Sequence, residues 1–289
     1  MFSLTRVVKD LVVNPARYSE TGMTGPLARG NGGWTAGVRT LARVTLAPLS
    51  GLPRAAAQLP DLLRTLGERG LAIPAERRCS PSPGLALRAL AGFVRADGAM
   101  RDGYLSLLTA TMDRAVAENV HPAFLDLLGQ LGSDELLLLA SLGSGGPFPL
   151  LSLSSRLRHG GATRVELRHF SLLGTRAGCS HPERTPAYLD NLGRLGLIEI
   201  RPTRITDDVR MFAELEEHPT VTAVRVRIEN QPAVRIGPLS EPIVADVQYK
   251  SLFLTAFGRQ FRAACFFRPD GTGIDGVDGD GAHLVHASS

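Results

Sequence analysis

Apolar positions recur at helical spacing through much of the chain. Leu59, Leu62, Leu63 and Leu66 form a first stripe after Pro53 and Pro60. Leu87, Leu90, Ala91 and Val94 form a second, stopped at Asp97-Gly98. Tyr104, Leu107, Leu108, Thr111, Met112 and Ala115 hold the i, i+3, i+4 pattern of a longer helix. His121-Pro122 opens a third helix, because a proline lacks only an N–H that the first turn leaves unused. Its buried face is Phe124, Leu127, Leu128 and Leu131. Ser133 caps the next helix, and Asp134 and Glu135 complement the positive end of its dipole. Leu136 to Ser155 carries no charge and is nominally long enough to span a membrane. Gly143 to Pro149 interrupts it, however, and lipid offers no partners to backbone groups freed there. The expectation is two buried helices joined by a loop.

The second half mixes periods. Thr185-Pro186 starts a helix with Tyr188, Leu189, Leu192 and Leu195 on one face. Gly196 suits the left-handed residue that ends it. Leu197 to Arg201 then extends as a strand. Thr220 to Glu229 alternates, with Val224, Val226 and Ile228 against Arg225, Arg227 and Glu229, and predicts a half-buried strand. Val234–Ile236, Ile243–Val247 and Leu252–Leu254 are further short strands. Thr255 caps a last helix bearing Phe257, Phe261 and Cys265 at four-residue steps.

These elements predict an α+β fold, mostly α. Residues 1–60 form a poorly defined basic region, 61–158 a helical block, 159–268 a winged-helix-like domain and 269–289 a disordered acidic tail. In the third of these, a helix, Leu-Gly-Leu-Ile, strands, and Leu-Thr at a closing helix follow winged-helix order. About 50 residues between Ile200 and Ser251 would make an enlarged wing. Within residues 1–60, Val7, Val8, Leu11 and Val12 suggest a short amphipathic helix, 22–37 a glycine-rich loop and 37–46 a second helix.

The chain has 289 residues, of which 44% are hydrophobic and 21% charged, so it can build a core. Its 32 cationic side chains include only two lysines, Lys9 and Lys250. Arginine's planar fork suits phosphate, but a GC-rich genome would produce the same bias. The net charge of +4 rules out a uniformly basic glove for nucleic acid. It hides a basic first 60 residues, a basic stretch over 151–268 and an acidic tail. Three scattered cysteines, Cys79, Cys179 and Cys265, do not form a disulfide framework. With no clean signal-peptide core, a cytoplasmic protein is expected, peripheral membrane contact through the basic N-terminus being the variant.

Three segments together are similar to the Abi-alpha family, bacterial proteins linked with abortive infection, a phage-defence response. One is Leu107-Leu108 in a helix after Asp97, with Tyr104 where the family usually has Trp. Another is His121-Pro122-Ala123-Phe124 and the residues to Leu131. The third is Asn191-Leu192 with Leu195-Gly196-Leu197-Ile198, followed by Leu254-Thr255-Ala256-Phe257-Gly258 and Phe261. The likeness covers roughly residues 80–268. It departs where Gly98 and Ala99 replace the acidic residues usual before the Trp helix. It implies a defence context and a helical-plus-winged architecture, and it carries no catalytic residues. The motif residues His121, Pro122, Phe124, Leu195, Gly196, Leu254, Thr255, Phe257, Gly258 and Phe261 are read as structural.

A search for chemistry finds no phosphate-binding Gly-x4-Gly-Lys loop and no Gly-x-Ser-x-Gly elbow. Gly30 to Gly33 follows no strand. Cys179, His181 and His169 are too few and too loosely spaced for a structural zinc site. Asp207-Asp208 beside Arg204 and Arg210 reads as a solvated loop, and Glu214, Glu216 and Glu217 as a solvated face. The Asp-Gly tail fails the register of a calcium loop. No enzyme activity, cofactor, metal or small-molecule substrate is inferred. A protein partner or self-association is expected. The alternatives are a winged-helix DNA-binding regulator, contacting DNA through Arg184, Asn191 and Arg194, and a peripheral membrane effector.

Overall fold

A computed structural model describes residues 53–143, 146–161, 163–202 and 210–269. The readings placed on the N-terminal helices, Gly30–Gly33, Arg204, Asp207-Asp208 and the Asp-Gly tail lie outside these residues. The chain forms two compact units. Among described residues, one holds 53–133 with 260–269, and the other holds 134–259.

The first unit is helical. It begins with α1 (Pro53–Ala72), α2 (Pro83–Arg95) and α3 (Gly98–Ala110). The short α4 (Arg114–Ala117) and α5 (Phe124–Leu128) follow. Leu62 and Leu66 of α1, Leu90 and Phe93 of α2, and Tyr104, Leu107 and Leu108 of α3 are buried. α2 and α3 pack closely because Gly92 has no side chain. A Cβ there would sit 2.2 Å from the Tyr104 ring. The helix opened by His121-Pro122 is shorter than its periodicity predicts. Pro122 lies in a turn before α5, and Leu131 lies after it, although still buried. The unit is completed from far along the chain by the end of α11 (Ala256–Cys265). Phe261 meets Phe124 edge-on, with ring centroids 5.3 Å apart.

The second unit is an antiparallel sheet with helices on both faces. It contains α6 (Ser133–Ser141, all but its first residue), β1 (Phe148–Leu157), β2 (Thr163–Phe170) and α7 (Leu173–Arg176). Then come α8 (Thr185–Arg194), β3 (Ile198–Pro202), α9 (Arg210–Glu216) and α10 (Pro219–Glu229). The hairpin β4 (Val234–Ile236) and β5 (Leu239–Glu241) leads into β6 (Ile243–Leu254). The sheet order is β2-β1-β6-β3. Leu151 and Leu153 of β1 face Phe212 and Leu215 of α9 and Val221 and Ile228 of α10. Side chains alternate along a strand, so Leu150, Ser152 and Ser154 point to the other face. There α8 packs on β2 and β3.

Several expectations are corrected. Thr220–Glu229 is helical, not a strand. Pro219 stands in the first turn of α10, and His218 Nδ1 accepts from the Thr220 N–H at 3.2 Å. Val221, Val224 and Ile228 then share the inner face, whereas Val226 is 49% exposed. Leu136–Ser155 is a helix followed by a strand, in which Leu151 and Leu153 alternate with Ser152 and Ser154 at the two-residue period of β1. The expected boundary at residue 158 therefore falls within one sheet, between β1 and β2. The two segments Ile243–Val247 and Leu252–Leu254 are one strand, β6. Among its described residues, the region read as an enlarged wing holds two helices, α9 and α10, as well as the β4–β5 hairpin and much of β6.

Candidate functional site

The family-motif residues lie at element ends or in the core of the two units. His121 Nδ1 accepts from the Ala123 N–H at 3.1 Å, which caps the entry to α5, and Phe124 is fully buried. Gly196 ends α8 with φ of 72°. Beyond it, Thr255 does two things. Its hydroxyl donates to the Gly196 carbonyl at 2.6 Å and accepts from the Gly258 N–H at 2.8 Å. Gly258 lies against the Leu197 backbone, whose carbonyl oxygen would be 1.9 Å from any Cβ placed there. Leu254 and Phe261 are buried, and Leu195 and Phe257 are half-buried.

The three proposed DNA contacts are not equivalent. Arg184 is exposed just before α8. Asn191 is engaged on both sides of its amide. Its nitrogen donates to Glu135 Oε1 at 2.8 Å, while its oxygen accepts from Arg194 Nη2 at 2.8 Å. Asp134 and Glu135, expected to serve the helix dipole, also tie α6 to later segments. The Asp134 carboxylate accepts from the Ser180 and His181 N–H groups and from the Tyr188 hydroxyl. These bonds, the Ser180 N–H foremost, hold its pKa below the ordinary carboxylate value. Tyr188 is pushed up to about 12 by burial and by Asp134.

Cys179, His181 and His169 do not form a metal site. Cys179 is a free buried thiol, and His181 is exposed with Glu183 at 3.3 Å. Among the described residues no group of three or more His, Cys, Asp or Glu side chains could hold a metal ion. Arg210 is exposed. Glu216 and Glu214 are not merely solvated. Glu216 accepts from the Tyr249 hydroxyl at 2.6 Å, and Glu214 pairs with Arg176.

Sequence reasoning missed the polar cluster that the second unit builds on β2. Opposite Leu151 to Ser154 of β1, strand β2 carries two irregularities of register. In the first, Arg168 and His169 together stand against Ser152, a bulge that re-aims side chains. His169 adopts φ of 48°, a left-handed conformation uncommon for a residue with a Cβ. Its N–H donates to Ser152 Oγ at 3.1 Å. The side chain is turned inward and the residue is only 8% exposed. Nε2 lies 3.4 Å from Lys250 Nζ on β6. Asp190 of α8 closes the cluster. Its Oδ1 accepts from Arg168 Nη2 at 2.9 Å and lies 3.8 Å from His169 Nδ1.

The tautomer follows from the neighbours. An ammonium group only donates, so Nε2 accepts from Lys250 and the neutral ring carries its proton on Nδ1. That atom is buried and has no hydrogen-bond partner, since 3.8 Å is too long for one. Burial, then Lys250 and Arg168, push the His169 pKa down, with Asp190 opposing. Burial and then Arg168 push Lys250 down. The only signal in the sequence was Lys250 itself, one of two lysines among 32 cations.

The fold thus defines an α+β protein with a helical unit and an antiparallel-sheet unit. Residues 55–265 match the abortive infection alpha family, and the chain belongs to it. No curated protein matches the chain. A solved structure, described as that of the uncharacterized protein from the hydrocarbon-degrading marine bacterium Alcanivorax borkumensis SK2, is similar at 24% identity. The match covers 51% of this chain and 92% of that one, with a TM-score of 0.32. Among the described residues no helix is long and apolar enough to cross a membrane.

Proposed function

We infer that this protein takes part in abortive infection as a non-enzymatic component, acting through contacts with a protein partner or with further copies of itself. The observation that carries the reading is the family match over residues 55–265. A contact role is supported by the β4–β5 hairpin, which leaves Leu239 67% and Val234 41% exposed. Both side chains lie on one short hairpin, which makes it the place to test for contact. The order of α8, β3, β6 and α11 supports a winged-helix ancestry in which α9, α10 and the hairpin extend the wing. The DNA-binding alternative gains no support from Asn191, whose amide is already used.

Phage plating on bacteria carrying the wild-type chain, Leu239→Asp or Phe261→Ala tests this reading. The wild type is expected to lower plating efficiency. Leu239→Asp is expected to keep the wild-type circular dichroism and lose protection, while Phe261→Ala loses both. A wild type that gives no protection sinks the defence role. Full protection by Leu239→Asp removes the hairpin as the contact.

A further inference from the structure

We propose that Lys250 is an acyl-acceptor site. Its ε-amine, at the Nε2 edge of the His169 ring with Asp190 at the Nδ1 edge, takes an acyl group from a small thioester or acyl phosphate. The inference does not depend on the defence role.

Three observations carry it. First, Lys250 and Asp190 flank the ring. Lys250 Nζ lies 3.4 Å from Nε2, and Asp190 Oδ1 lies 3.8 Å from Nδ1. A nucleophile, a base within reach of its proton and a third group behind the base form the arrangement that activates weak nucleophiles. Second, the base is held in place. The bulge in β2 and the left-handed backbone of His169 persist against their cost, with the His169 N–H fixed on Ser152 Oγ. Third, the surroundings of the amine are open. Gln248, two residues along β6 and so on the same face, is exposed. Pro202, opposite Lys250 on β3, is exposed too.

The chemistry uses both edges of the ring. Burial, then Arg168, shift Lys250 toward its neutral amine. Arginine in the same place would stay charged. A neutral amine that donates one N–H to Nε2 keeps its lone pair for an electrophile. The lone pair attacks the acyl carbonyl and a C–N bond forms. The C–S bond of a thioester, or the C–O bond of an acyl phosphate, then breaks. The proton displaced from nitrogen passes to Nε2 and leaves with the thiolate or phosphate. With Lys250 neutral, its charge no longer opposes protonation of His169, and Asp190 favours the imidazolium. The product is an uncharged amide at Lys250.

The test uses the full-length protein with acetyl phosphate or with S-acetyl-N-acetylcysteamine, a small thioester. Nα-acetyl-lysine amide in the same tube is the reference amine. Peptide mass spectrometry follows acetylation of Lys250 from neutral to alkaline pH. At neutral pH Lys250 is expected to react at least about tenfold faster than the reference with one donor or both. Its rate is expected to level off at a lower pH than that of the reference. His169→Asn supplies a residue that tolerates the left-handed backbone but is no base, and is expected to remove most of the enhancement. Asp190→Asn is expected to remove less. If His169→Asn loses the wild-type circular dichroism, Asp190→Asn decides. A preference for one donor identifies the source of the acyl group and supports the site, as does equal reaction with both. A Lys250 no faster than the reference with either donor overturns the proposal. So does an enhancement that survives both substitutions.

Discussion

Thr255 and Gly258 illustrate how single positions in a short motif carry different burdens. Thr255 needs an oxygen that both donates and accepts, so Thr255→Ala should cost about 1 kcal/mol, in the usual range for a lost cap. Gly258 needs the absence of a side chain. Its Cβ would strike the Leu197 backbone, which cannot rotate away, so Gly258→Ala should cost roughly 1–3 kcal/mol or more. Urea unfolding midpoints measure both, with Gly258→Ala expected to be the worse. Asp134 adds a pH-dependent effect. Its folded pKa is lowered, so its contribution is full above the unfolded value of about 4 and is lost as pH falls through the folded value. Asp134→Asn should therefore be less stable than wild type at neutral pH, and the gap should close in acid. Thermal melts at neutral and acidic pH check this, a constant gap being the contrary result.

Among the elements, those with a local punctuation mark were legible in the sequence. Thr185-Pro186 and Gly196 bound α8, and Thr255 starts α11. Elements whose state is decided by distant neighbours were not. In α10 the Val/Arg alternation satisfies a two-residue period, while Val221, Val224 and Ile228 satisfy the helical one equally well. The proline at its start and the His218 cap decide for helix. In β1 the reverse holds. Leu151 and Leu153 alternate with Ser152 and Ser154, but for four residues only, and burial of both faces leaves no charged side to mark the strand. The His169 cluster was beyond reach for a related reason. The bulge exists only once β1 and β2 are in register, and Asp190 and Lys250 come from elements 21 and 81 residues away. At this scale Phe261→Ala should remove the edge-on contact with Phe124 and cost about 3–5 kcal/mol. Calorimetry of the full chain checks it. A loss below 1 kcal/mol would mean that the helical unit does not rely on that ring pair.

For the molecule as a whole, the first unit is discontinuous in sequence. Phe261, Ala264 and Cys265 belong to its core, although most of its helices lie before Ser133. Burial pushes the Cys265 thiol well above its ordinary pKa, so it should resist alkylation in the native protein and react on unfolding. Mass spectrometry after brief iodoacetamide treatment reads this directly. A chain ended after Arg259 should lose native exchange protection in α3 and α5, because Phe124 then lacks its partner. Hydrogen exchange resolves that loss helix by helix.

That discontinuity also sets a schedule for synthesis. The helices of the first unit leave the ribosome early, yet their last core residues follow only after the whole sheet unit has been translated. At roughly 5–20 residues per second, the 126 residues of that intervening unit impose a wait of about 6–25 s. During this interval the face of Phe124 stays uncovered, and a prematurely terminated product never covers it. The closing helix therefore acts as a completeness check, giving a finished core only to chains translated past residue 265.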